Sequence, residues 1–249
     1  MVFGNGFADF YIEAIDAILN YKSYIPCDND AYAIALPSVL RYEFPLCDYT
    51  FKCEDIGTAN GKIKIEYLVS REEQEKMSAE LLERINEYLI NALTDNSDVL
   101  NAEILYHKLA SSVTYDHEAL ETFMNTELYN AFINKTFINK TGICRTFAGA
   151  YALLLTQIGI ENKWASGTNS DNQGHAWNVV TLAGERYYCD PTFEVGTYGG
   201  TGFLYFGITA EERTKSGFLL ERSYIGRYIL SPAAEAGISE QPLKIVPIQ

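Results

Sequence analysis

Residues 144 to 158, "CRTFAGAYALLLTQI", are apolar or small on almost every side. A helix with no polar face has to be covered all round by the rest of the chain. Gly159 follows as a stop signal. Beyond it the hydrophobic period changes to two. "NKWASGT", "HAWNVVTLA" and "ERYYCDPTF" read as strands, the last two joined by a tight turn at Ala183 and Gly184. Helical patterns dominate the chain before residue 144. Helices first, then an antiparallel sheet behind a buried helix, is an α+β order.

The 249 residues suffice for one large domain or a domain with an extension. Residues 7–22 carry Phe10, Ile12, Ile15, Ile18 and Leu19 at helical spacing. Residues 31–41 suggest a short helix, against which Pro37 argues. "YTFKCEDI" and "GKIKIEYLV" alternate like two strands around "GTANG". A long amphipathic helix follows, with Ser70 as N-cap and Glu73 completing a capping box. Another helix is expected from about Asp98 to Ser111, and a loop around "NTELYNAFINKTFINKTG". The softest boundary lies near residues 93–98. It divides an N-terminal α+β extension, 1–95, from a core, 96–249.

Acidic residues outnumber basic ones by 33 to 19, a net charge of -14. Such a surface repels phosphate backbones and anionic membranes, so no nucleic-acid partner is expected. No run approaches the roughly 18 apolar residues of a membrane span. The first residues lack the basic region and cleavage site of a signal peptide, and composition leaves a cytoplasmic and an exported protein both open. Of five cysteines, Cys27, Cys47 and Cys53 are buried thiols or hold a disulfide. No C-x-x-C pair exists and histidine occurs only three times. Neither "CDNDAY" nor "DNSD" has calcium-loop spacing, so no metal site is expected.

The chemistry concentrates in three residues. Cys144 opens the apolar helix, where the helix dipole and unpaired backbone N–H groups favour a thiolate and offer donors to an oxyanion. A buried cysteine acting as a small hydrophobe is the commoner alternative. His175 starts one strand and Asp190 ends the next. With Ala183 and Gly184 as the turn, Leu182 pairs with Glu185 and His175 falls opposite Thr192. Asp190 is then a diagonal neighbour of His175 on the same face. A carboxylate there can fix an imidazole tautomer and stabilise its protonated form. Cys189 points to the opposite face, toward the core.

"TGICRTFAGAYALLLTQIGI" with "GHAWNVVTLAGERYYCDPTF" resembles the transglutaminase-like core, a rearranged relative of the papain-type cysteine proteases. The matching positions are Gly142, Cys144, Arg145, Phe147 and Ala148, then His175, Ala176 and Trp177, then Asp190, Pro191 and Thr192. "AEILYHKLASSVTYD", ending in Tyr115 and Asp116, is similar to the family's entry helix. The resemblance implies a papain-like core with an N-terminal helical and β-hairpin extension. It implies Cys144 as nucleophile, His175 as general base and acid, Asp190 as orienting carboxylate, and no cofactor. The substrate would be a peptide or protein carboxamide, and the compartment the exterior or cell surface of a bacterium. The Gly-Gln-Cys-Trp motif of calcium-dependent animal transglutaminases is missing, since Ile143 and Arg145 flank the cysteine; this points away from protein crosslinking. Family members also exist in which this core is a binding or scaffolding module without catalysis.

Four further residues are weighed. Trp177 is expected to wall the site. Tyr115 is a candidate oxyanion donor, with packing as its alternative. Arg145 is expected to make a structural salt bridge. His107 and His117 are expected on a helix surface or loop.

Overall fold

A computed structural model describes residues 5–46, 50–52, 61–90, 92, 96–126, 133–168, 173–209 and 229–230. The N-terminal part begins with α1 (Asn5–Leu19), whose buried face carries Phe7, Phe10, Ala14, Ile15 and Ile18. Strand β1 (Tyr24–Pro26) leads to α2 (Asp30–Glu43). Asn29 caps α2, its side chain accepting from the Ala31 N–H. Pro37 lies inside this helix. It removes one hydrogen bond there, but Leu36, Val39 and Leu40 around it are buried, and their packing outweighs the local loss.

The expected hairpin divides. β2 (Phe51–Lys52) pairs antiparallel with β4 (Glu66–Tyr67), as a hairpin would. β3 (Lys62–Lys64) instead pairs with β1, Ile25 facing Ile63 in the core. Most of the intervening turn lies outside the described residues. Ser70 caps α3 (Arg71–Leu89) by accepting from the Glu73 N–H. Ser97 caps α4 (Asp98–Ser112) in the same way. Of the expected boundary at 93–98, residues 93–95 lie outside the described residues.

After α4 come β5 (Thr114–Tyr115) and α5 (His117–Thr126); the stretch 125–142, expected as a loop, holds α6 (Ile133–Ile138) and β6 (Thr141–Gly142), and its residues 127–132 lie outside the described residues. β5 and β6 pair in parallel, Tyr115 opposite Gly142. These pieces are too short to print a period on the sequence. They are held instead by burial of Ile133, Thr136 and Phe137.

The apolar segment is α7 (Cys144–Gln157), buried at every residue from Thr146 onward. Gly159 then takes a left-handed conformation, φ 81°, which ends the helix without steric cost. The sheet is antiparallel, with β7 (Asn162–Thr168), β8 (Gly174–Leu182) and β9 (Glu185–Cys189) side by side. A short β10 (Ile229–Leu230) adds to the outer edge of β7. Ala183 and Gly184 both have positive φ, the two-residue turn that matches strand twist, and Leu182 pairs with Glu185. α7 packs on β7 and β8. β8 is buried on both faces: Val180 and Leu182 join the main core, and Trp177 and Val179 join a second cluster with Ala165.

The last strand ends earlier than its pattern suggested. After Cys189 the chain leaves the ladder and turns into α8 (Pro191–Tyr198). Asp190 is the N-cap and Pro191 occupies the first turn, where a missing N–H costs nothing. One apolar cluster runs from Phe7 to Cys189 and joins α1 and α2 to α7. The fold is α+β, with a cysteine-bearing helix packed on an antiparallel sheet.

Candidate active site

Three elements converge on His175. β8 presents it near its first residue, the N-cap of α8 presents Asp190, and the first residue of α7 is Cys144. His175 Nε2 and Asp190 Oδ2 are 2.5 Å apart. Both side chains are buried, at 6% and 1% exposure. The other carboxylate oxygen accepts from the Phe193 N–H at 3.0 Å. The cap that starts α8 therefore also fixes the carboxylate that grips the imidazole. The register deduced from the turn leads to this pair, although the ladder stops at Cys189.

Cys144 is half-buried and lies against the His175 side chain. Burial by itself lowers the imidazole pKa. The Asp190 carboxylate, the hydrogen bond to it and the neighbouring Cys144 sulfur outweigh burial and raise it to about 10. His175 is accordingly an imidazolium at neutral pH. With Nε2 turned to Asp190, Nδ1 is the nitrogen that remains for the thiol.

Aromatic rings hold the imidazole in place. Phe193 stacks on it with centroids 4.2 Å apart and planes at 10°. A cation against a ring face gains roughly 0.5–2 kcal/mol. Trp177 lies behind, its centroid 6.0 Å from that of His175. The expected wall gives way to a packing role, because Trp177 has no exposed surface and can touch no substrate from there.

Tyr115 lies beside Cys144. Burial, then the charges of Cys144 and Asp190, hold its hydroxyl well above the usual phenol range, and a hydrogen bond with the Cys144 backbone offsets part of this. Its ring meets His117 at 4.9 Å, and His117 starts α5 on the surface. His107 lies on α4 and stacks on Phe203 at 5.5 Å. Arg145 is half-buried in the first turn of α7. Cys189 is in the core, and burial pushes its thiol up to about 12. Cys27 is a free, buried thiol whose Sγ donates to the Asn29 carbonyl. Cys47 and Cys53 lie outside the described residues.

The structure also shows why a glycine stands two residues before the cysteine. Thr146 Oγ1 accepts from the Ile143 N–H at 3.0 Å and braces the start of α7. A Cβ on Gly142 would collide with that oxygen and lie 2.9 Å from Thr136 Oγ1. Gly142→Ala is expected to cost about 1–3 kcal/mol and to slow alkylation of Cys144. Urea unfolding and thiol kinetics on the same variant check both.

Four residues of the site were not anticipated. Phe193 had a weak signal, since it stands third after an N-cap aspartate. Tyr106, Glu194 and Tyr205 touch the backbone of Asp190 or one another from three separate segments. No local spacing announces such a meeting.

Residues 83–191 match the family model of the transglutaminase-like superfamily. No curated protein matches the chain. Among solved structures it is similar to a TGase at 16% identity and a TM-score of 0.41, covering 68% of this chain and 48% of that one. It is similar to a candidate cysteine protease from Cytophaga hutchinsonii at 17% identity and 0.35, covering 46% and 37%. It is also similar to a candidate protease from Parabacteroides distasonis at 10% identity and 0.36, covering 55% and 35%. The chain thus spans less than half the length of each of these structures. The matched segment, 83–191, carries Cys144, His175 and Asp190.

Proposed function

We propose that this chain catalyses acyl transfer on a peptide or protein carboxamide, with Cys144, His175 and Asp190 as the catalytic triad. The observation that carries the reading is the buried His175–Asp190 pair with the Cys144 thiol against the same imidazole. The Cys144 thiolate attacks the carbonyl carbon. Backbone N–H groups at the start of α7 receive the oxyanion, with the Tyr115 hydroxyl beside them as a further donor. The C–N bond breaks as His175 gives its proton to the departing amine, leaving a thioester on Cys144. Water then attacks the thioester, His175 takes one of the water's protons, and the acid leaves as the C–S bond breaks and the Cys144 thiolate returns beside the imidazolium. An amine in place of water yields a new amide. Asp190 keeps the imidazole oriented and charge-balanced throughout.

Iodoacetamide alkylation of Cys144, followed by mass spectrometry between pH 5 and 9, tests this reading. Wild type should react readily below neutral pH, and His175→Ala should lose at least about tenfold of that rate at pH 6. Peptides carrying glutamine and lysine then separate hydrolysis from transamidation. Reactivity equal to an ordinary thiol in both proteins would overturn the triad and favour a binding module on the same fold.

A further inference from the structure

A second carboxylate lies behind Asp190, and the proposed reaction does not use it. Glu194 stands one turn further along α8 and is fully buried. A buried carboxylate costs several kcal/mol unless donors surround it. Glu194 Oε2 accepts from the Tyr106 hydroxyl and from the Tyr205 N–H, both at 2.9 Å, while Oε1 has no hydrogen-bond partner among the described residues. Replacing buried ionic groups by apolar ones of similar volume is often neutral or stabilising. The group therefore needs an explanation other than stability.

The partners supply one. The Tyr106 hydroxyl also lies 3.0 Å from the Asp190 carbonyl oxygen. The Asp190 N–H donates to the Tyr205 carbonyl at 2.8 Å. Glu194, Tyr106, Asp190 and Tyr205 thus form a closed ring that grips residue 190 at both its N–H and its C=O. Tyr106 comes from α4 and Tyr205 from the segment after α8. The ring ties three parts of the chain to one residue.

We infer that Glu194 and Tyr106 are positioning residues, which hold the Asp190 backbone so that its carboxylate stays aimed at His175. The inference rests on the acyl-transfer reading for its purpose, but not for its geometry. Ionisable groups around the ring are Cys189 and Asp190 beside Tyr106, and Tyr151 on α7, 5.7 Å from the Tyr106 ring. Those around the imidazole are Asp190 and Cys144, with Tyr115 beyond Cys144. Among the groups that favour the protonated ring Asp190 acts most strongly, so its aim is the main lever on the charge of His175.

The test uses Tyr106→Phe, Glu194→Met and Glu194→Gln in the full chain, with two readouts. One is Cys144 alkylation from pH 5 to 9. The other is the titration of the His175 ring followed by NMR. Tyr106→Phe and Glu194→Met should lose about tenfold or more of the alkylation rate at pH 6, keep the rate at pH 9, and lower the His175 midpoint. Glu194→Gln keeps an oxygen for both donors and should hold the rate within about threefold. Should Tyr106→Phe not fold, the Met and Gln pair decides alone. Alkylation profiles and His175 midpoints that superimpose on wild type in the folded variants overturn the inference, as does a Gln variant falling as far as Met. If wild-type Cys144 proves no faster than an ordinary thiol, the acyl-transfer reading fails separately. The His175 midpoints still decide whether the ring controls Asp190.

Discussion

Asp190→Ala is expected to destabilise the protein by about 3–5 kcal/mol and to lower the proposed acyl transfer by about 10³–10⁴-fold. Two losses add to the first figure. His175 keeps its burial and loses its carboxylate, and the Phe193 N–H loses the oxygen that caps α8. The second loss alone is worth about 1 kcal/mol. The effect has a pH signature. His175 binds its proton more tightly folded than unfolded, because its pKa rises from about 6.5 to about 10. Its contribution to stability is therefore complete below pH 6.5 and disappears as pH rises through about 10. Wild type and variant should differ most below pH 6.5 and approach one another toward pH 10. Urea denaturation at several pH values measures this gap. A gap that stays constant from pH 5 to 10 would mean that the pair contributes no proton linkage. The catalytic loss follows from the same pair. Without Asp190, only the Cys144 sulfur opposes burial, which is the largest influence on the imidazole and favours the neutral ring, so the imidazolium beside Cys144 is depleted.

The parts of this site that were legible in the sequence share a physical cause: each obeys a local rule. An all-apolar segment has to be buried, and α7 is. Two turn residues with positive φ fix strand register, and that register leads from the turn at Ala183 and Gly184 to the meeting of His175 and Asp190. Ser70 announces the start of α3 through its side chain. What stayed hidden depends on packing between distant segments. Strand β3 turns to β1, not to its neighbour in sequence, because Ile63 finds Ile25 in the core. The residues after Cys189 alternate like a strand, yet Asp190 and Pro191 supply a cap and a first turn, and the helix prevails. Trp177 carries an amphipathic ring suited to a site wall, but β8 is covered on both faces and encloses it. Tyr106 and Glu194 are 88 positions apart, and only the folded chain brings them together.

Gly200→Ala is expected to cost about 3 kcal/mol or more, from a residue that touches no reacting atom. Gly200 has φ 79°, a conformation that costs an L-residue about 1–2 kcal/mol. The remainder comes from contact, as overpacking adds about 1–3 kcal/mol. A Cβ here would run into the Ala110 carbonyl and lie 2.7 Å from the Ser111 nitrogen. These are backbone atoms of α4, so no side-chain rotation relieves the clash. The helix and the segment after α8 would have to separate. That segment carries Tyr205, which holds both Asp190 and Glu194, so Cys144 alkylation below neutral pH should slow together with the loss of stability. Gly199 provides the control. It is also left-handed, φ 60°, but a Cβ there meets nothing within 4 Å. Gly199→Ala should show the conformational cost alone and keep the reactivity of Cys144. Equal unfolding midpoints for the two variants would mean that the close approach to α4 carries no energy. A clear excess in Gly200→Ala, accompanied by slower alkylation, would connect the packing of α4 to the aim of Asp190 through one missing side chain.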